Sequence, residues 1–238
     1  MSIEMFFFKD NLDKYLSELA KDFKKRSRGQ EVEIILVGGA SIIINYNFRW
    51  ASNDIDAEYM AYAAFKESIK AVGDKFDLPV GWLNNDFKQT SSYSPNIVRY
   101  SEFYKEFCGT LKVRTVKAEY LVAMKLASGR QYKKDLSDIA GIIDEQAQKG
   151  KPLTYEMINK AVIDLYGDWA RISDYSKDTL DKILSCDNLN ELFLELSENE
   201  EQAKERLSEI DKKYPELLNR DNVDEVIMAA LKKQKKES

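Results

Sequence analysis

The sequence predicts an α+β protein, in which a mixed α/β half extends to about residue 150 and an all-α half follows it. Three observations carry this: strand-like apolar runs are confined to the first 116 residues, helical spacing dominates after them, and Gly150-Lys151-Pro152 breaks the pattern. The expected division is therefore residues 1–150 and 151–238. A length of 238 residues suits one large domain or a domain with a helical appendage.

Asp10 reads as a helix N-cap, and Leu12, Tyr15, Leu16, Leu19 and Phe23 follow at helical spacing until Lys24-Lys25-Arg26 and Gly29 close the segment. Residues 32–37 form a buried-strand pattern that ends at Gly38-Gly39, and residues 40–46 are short and helical. Asp54-Ile55-Asp56-Ala57-Glu58-Tyr59 alternates as a second strand, and a helix is expected from Ala61 to about Phe76. Short strands are expected at 96–100 and 111–116. Helices are expected at 117–128, at 133–148 after a break at Gly129, and in several pieces from 154 to 236. The basic run 232–236 reads as a solvated helix end.

Composition excludes much. With 44% hydrophobic residues, 32% charged residues and no apolar run near the roughly 20 residues of a membrane helix, the chain reads as soluble. The opening residues lack a basic leader and a cleavage site, and Cys108 and Cys186 lack metal or redox spacing, so a cytoplasmic location is expected. The chain contains no histidine, which removes the usual general base, the usual zinc ligand and every Ser-His or Cys-His nucleophile system. Catalysis must rest on carboxylates, lysines or a hard cation. A net charge of −5 argues against a protein that coats nucleic acid, while leaving room for a local basic groove.

On a strand, Asp54 and Asp56 would share a face while Ile55 packs behind them. Two adjacent carboxylates suit a hard divalent cation, Mg2+ or Mn2+, that also holds phosphate oxygens; taken alone, such a pair more often marks a solvated edge strand. Their setting favours chemistry. Gly38-Gly39 permits close backbone approach, and the following helix N-terminus offers free amides to phosphate. The pattern argues against a dinucleotide fold, because Gly-x-Gly-x-x-Gly is absent and Ile43 stands where a glycine is needed.

Val37-Gly38-Gly39-Ala40-Ser41 followed by Asp54-Ile55-Asp56 resembles the nucleotidyltransferase superfamily, whose signature is a strand, a glycine turn, a short helix and Asp-hydrophobic-Asp. With Arg49 and Ser52 before the acid pair, the sequence is similar to the nucleotidyltransferase toxins of bacterial abortive-infection and toxin-antitoxin systems. Met124-Lys125-Leu126-Ala127-Ser128-Gly129-Arg130 and Lys134-Asp135-Leu136-Ser137-Asp138 resemble that group's downstream motif, and Trp82-Leu83-Asn84 adds a further likeness. The resemblance covers about residues 35–143. It implies a small mixed sheet flanked by helices and transfer of a nucleoside monophosphate from an NTP to an acceptor hydroxyl on tRNA, another RNA or a protein. It also implies a cognate antitoxin.

In that frame Asp54 and Asp56 hold the cation, Gly38, Gly39, Ser41, Arg49 and Ser52 cradle the nucleotide, and Lys125, Arg130 and Lys134 balance triphosphate charge, with Asp135 and Asp138 beside them. The plainer alternative is that Lys125 snorkels along an apolar stripe while Asp135 and Asp138 favour a helix N-terminus. A third carboxylate is expected from a neighbouring strand; Asp86 is the first choice, with Asp77 and Glu119 behind it. Tyr93, Tyr100, Phe103, Tyr104 and Phe107, interleaved with Lys88, Arg99, Lys105, Lys112 and Arg114, would either stack RNA bases or pack the core. The helical spacing of Phe103 and Phe107 expects both to be buried, and Tyr93 to be exposed in a loop.

Overall fold

Helical spacing near the N-terminus forms α1 (Lys9–Arg26), which buries Leu12, Tyr15, Leu16, Leu19 and Phe23 along one face. The N-cap is Phe8 rather than Asp10. The Phe8 N–H donates to Asn11 Oδ1 at 2.8 Å, and Asp10 falls in the first turn, where an acid suits the positive end of the helix. The computed structural model describes residues 6–60, 62–214, 222, 223 and 226; the basic run 232–236 and the start of the expected helix at Ala61 lie outside them.

Among the described residues five strands form one mixed sheet: β1 (Val32–Leu36), β2 (Ile55–Tyr59), β3 (Leu83–Asn84), β4 (Ser101–Phe107) and β5 (Leu111–Val116), in the order β3-β2-β1-β5-β4. The central strand β1 pairs antiparallel with β2 and parallel with β5. The period-2 alternation sends Ile34, Leu36, Ile55, Ala57, Leu111 and Val113 into one core with α1 and with Phe65 and Val72 of α3 (Ala63–Phe76). The other face carries Glu33, Asp56, Glu58, Lys112 and Arg114, with Ile35 in register between Glu58 and Arg114.

The expected strand at 96–100 is instead a 3₁₀ turn, Pro95–Tyr100, and the strand follows it at β4. β4 is an edge strand in which only Tyr104, among the residues between its buried ends, packs against the core, so it shows no apolar alternation to read. The helical spacing of Phe103 and Phe107 misled because a register shift between Phe103 and Lys105 interrupts the strand alternation that would give both one face: Phe103 is exposed while Phe107 is buried. Tyr93 is half-buried, edge-on to Phe87.

The helices that follow are α4 (Ala118–Ser128), α5 (Asp135–Gln148), α6 (Tyr155–Tyr166), α7 (Asp174–Leu184) and α8 (Leu189–Lys213), completing the α+β architecture. Contacts divide the chain into two units: Met1–Met124 with Glu156–Trp169, and Lys125–Tyr155 with Ala170–Ser238. In the first unit α6 is fastened by Ser94 Oγ–H to Leu165 O at 2.7 Å, Asn96 Nδ2–H to Asp164 O at 2.9 Å and Tyr120 O–H to Asp164 Oδ2 at 2.7 Å. In the second unit the buried face of α5 packs against α8 and α7. No helix among the described residues is long and apolar enough to cross a membrane.

Candidate functional site

β1 ends at a turn that only glycine fits. Val37 caps α2 (Gly38–Asn45), and its N–H donates to Asp56 O at 2.9 Å, which joins the turn to β2. Gly38 has φ +53°, and a Cβ there would stand 3.7 Å from Asp56 Oδ2. A Cβ on Gly39 would collide with Ser52 Oγ and lie 2.9 Å from Arg49 Nη2. The structure thus brings Gly38, Gly39, Arg49, Ser52 and Asp56 together. One helical turn on, Ser41 is fully buried and its hydroxyl has no hydrogen-bond partner among the described residues. An orphaned buried hydroxyl costs about 1–3 kcal/mol, which a ligand oxygen would recover.

The loop from Arg49 to Asp54 is pinned on both sides. Arg49 Nε–H donates to Ala51 O at 3.2 Å, and Ser52 exchanges two backbone hydrogen bonds with Phe7, at 2.7 and 3.0 Å. Lys9 Nζ donates to Ile44 O at 2.9 Å at the far end of α2. Asp54 sits in an exposed bend, because the β2 ladder begins at Ile55, whose N–H goes to Trp82 O at 3.0 Å. Asp56 is half-buried on the strand, and the residue sharing its strand face is Glu58. Glu58 Oε1 takes an ion pair from Lys88 at 2.8 Å, while its Oε2 is buried without a hydrogen-bond partner among the described residues. Sequence reasoning passed over Glu58, although the alternation of acids continues to it.

The expected third carboxylate does not converge. Asp86 opens a 3₁₀ turn, exposed, with its N–H on Asn84 Oδ1 at 2.8 Å, and its charge reaches Tyr59, whose phenol pKa is raised first by burial and then by Asp86. Asp77 is the left-handed C-cap of α3, and Glu119 lies in the first turn of α4. The residue in register with Asp56 on β3 is the neutral Asn84. Among the described residues no group of three or more His, Cys, Asp or Glu side chains is placed to hold a metal ion. Asp54 and Asp56 still fit Mg2+ or Mn2+ chemically, since such a cation takes one or two carboxylates and fills its shell with water and phosphate oxygens.

The downstream motif is gathered in the second unit as a buried charge cluster. Lys125 Nζ lies 2.9 Å from Asp135 Oδ1 and 2.7 Å from Asp138 Oδ2. Arg130 grips Asp135 with two guanidinium bonds, at 2.8 and 3.2 Å, and adds its backbone N–H at 3.2 Å. Burial opposes the charge on Asp135, but the adjacent Lys125 and Arg130 prevail and hold its carboxyl far below the usual range. Lys134, the N-cap residue of α5, is exposed outside this cluster.

Glu200 of α8 completes the arrangement. Its Oε1 accepts the Leu136 and Ser137 N–H groups at 2.8 and 3.2 Å, and its Oε2 accepts the Ser137 hydroxyl. A side chain 64 residues downstream thereby caps a helix with no side-chain cap of its own. Burial, followed by the charge of Asp138, pushes the Glu200 carboxyl up to about 7.

A family model described as nucleotidyltransferase of unknown function (DUF6036) matches residues 13–146. Comparison with curated proteins and with solved structures finds no match.

Proposed function

The chain belongs to the nucleotidyltransferases of unknown function (DUF6036), and on that premise we propose that it moves a nucleoside monophosphate from an NTP to an acceptor hydroxyl, with Mg2+ or Mn2+. The observation that carries this reading is the closeness of Gly38 to the Asp56 carboxylate at the start of α2, the helix that also carries Ser41, whose buried hydroxyl has no hydrogen-bond partner among the described residues. A phosphate chain there would meet backbone amides at the start of α2, the Ser41 hydroxyl and the Arg49 and Ser52 side chains on Gly39. Asp54 and Asp56 would hold the divalent cation, which when bound neutralises triphosphate charge and makes the α-phosphorus easier to attack. The acceptor hydroxyl oxygen would form its bond to that phosphorus as the bond to the bridging oxygen breaks, its proton passing to water and pyrophosphate leaving.

For the second unit, the resemblance alone assigns Lys125, Arg130 and Lys134 to triphosphate charge, with Asp135 and Asp138 holding the first two in place. The same resemblance supplies the acceptor class, a tRNA or other RNA end or a protein hydroxyl, together with a toxin role, a cognate antitoxin and a cytoplasmic setting. One observation favours a second reading, a nucleotide-binding module without turnover: no third carboxylate joins the acid pair among the described residues.

Incubation with each labelled NTP, Mg2+ and total RNA separates the two readings as transfer or binding alone. Asp54→Asn combined with Asp56→Asn is expected to abolish transfer with an unchanged circular dichroism spectrum. Undiminished transfer by that variant would overturn the assignment.

A further inference from the structure

Of the three tryptophans, two are engaged inside the fold. Trp82 is 2% exposed, donates Nε1–H to Ile69 O at 3.0 Å and stacks on Phe7; Trp169 donates Nε1–H to Asn159 Oδ1 at 2.7 Å. Trp50 is 81% exposed and makes no hydrogen bond or ring contact with any described residue. An indole is a large apolar body that ordinarily goes to a core or an interface, although a single exposed ring carries little meaning by itself.

Its position gives it meaning. Trp50 stands between Arg49 and Ser52, whose side chains both reach the space over Gly39, and four residues before Asp54. The backbone on its C-terminal side is pinned by the Arg49 bond to Ala51 O and by the paired bonds of Ser52 with Phe7, so the ring is offered from a fixed loop. Phe6 and Phe8, 40% and 47% exposed, flank Phe7 on the segment bonded to Ser52. Three exposed aromatic rings therefore lie on two segments joined at one bridge, beside the glycine turn. Exposed aromatics next to a phosphate-binding turn are the chemistry of base stacking, which tolerates any base because every base has a π-face.

We infer that Trp50 is a stacking platform for a nucleobase, that of the bound nucleotide or of an acceptor strand. This rests on the nucleotide site proposed above, and it makes Trp50 the residue by which that site distinguishes base-bearing ligands from bare polyphosphate.

The test is calorimetric titration of the full chain, in Mg2+, with the four NTPs, inorganic triphosphate and a short single-stranded oligoribonucleotide, for wild type, Trp50→Phe and Trp50→Ala. Trp50→Ala is expected to weaken a base-bearing probe about tenfold, Trp50→Phe to retain wild-type affinity, and inorganic triphosphate to bind all three proteins alike. A loss confined to NTPs assigns the stacked base to the nucleotide; a loss confined to the oligoribonucleotide assigns it to the acceptor. Equal affinity of wild type and Trp50→Ala for every base-bearing probe overturns the inference while leaving the nucleotide site standing, as does an equal loss for inorganic triphosphate. A wild-type protein that binds none of the probes removes the nucleotide site, and the platform with it.

Discussion

Ser41 lies in the first half of α2, fully buried, with a hydroxyl that finds no partner among the described residues. Folding alone gives no reason for such a group, since alanine would fill the same space without the desolvation cost. Ser41→Ala is therefore expected to raise stability by about 1 kcal/mol in urea denaturation while weakening NTP binding. A variant that is both less stable and unchanged in binding would remove Ser41 from the site. Gly38 and Gly39 belong to the same scale: one needs its positive φ beside Asp56, the other its missing Cβ beneath Ser52 and Arg49.

Among elements, the α5–α8 pair carries the most consequential contact. Glu200 closes the N-terminus of α5, and Asp135 and Asp138 at that same end hold Lys125 and Arg130. Burial and the nearby Asp138 raise the Glu200 carboxyl from the ordinary 4.5 to about 7. A carboxyl raised on folding contributes stability that is complete below its unfolded value and is lost as pH rises through the folded one. The wild type is thus expected to gain stability over Glu200→Gln as pH falls from about 8 to about 5. Asp135 acts in the opposite sense in a lower window: its depressed carboxyl supports the fold at neutral pH and loses that contribution in strong acid. Urea midpoints of both proteins at four pH values measure the difference, and a difference that stays flat contradicts the role given to Glu200.

For the whole molecule, the decisive fact is that the chain leaves the first unit at Met124 and returns to it as Glu156–Trp169. Ser94 and Asn96 receive the returning helix by donating to the carbonyls of Leu165 and Asp164 in its last turn, groups that a helix end otherwise leaves unsatisfied. Ser94→Ala with Asn96→Ala should cost roughly 2 kcal/mol and speed amide exchange along α6. Unaltered exchange there would show that the two bonds do not fasten the helix. A boundary near residue 150 follows the composition of the chain but cannot register this return, because the partners of α6 lie some 70 positions away in sequence. The same limit explains why Asn84 opposite Asp56, the Glu58–Lys88 pair and the Glu200 cap were illegible: each depends on strand register or a long-range contact. By itself the sequence determined the α+β class and the glycine turn leading to an acid pair, because helical and strand periods and a positive φ are requirements of the local backbone. Only the tertiary structure decided which charges meet. Whether Lys125 faces solvent or is closed in by Asp135 and Asp138, and whether Asp56 gains a third acid or a neutral amide beside it, depends on distances across space that no spacing along the chain encodes.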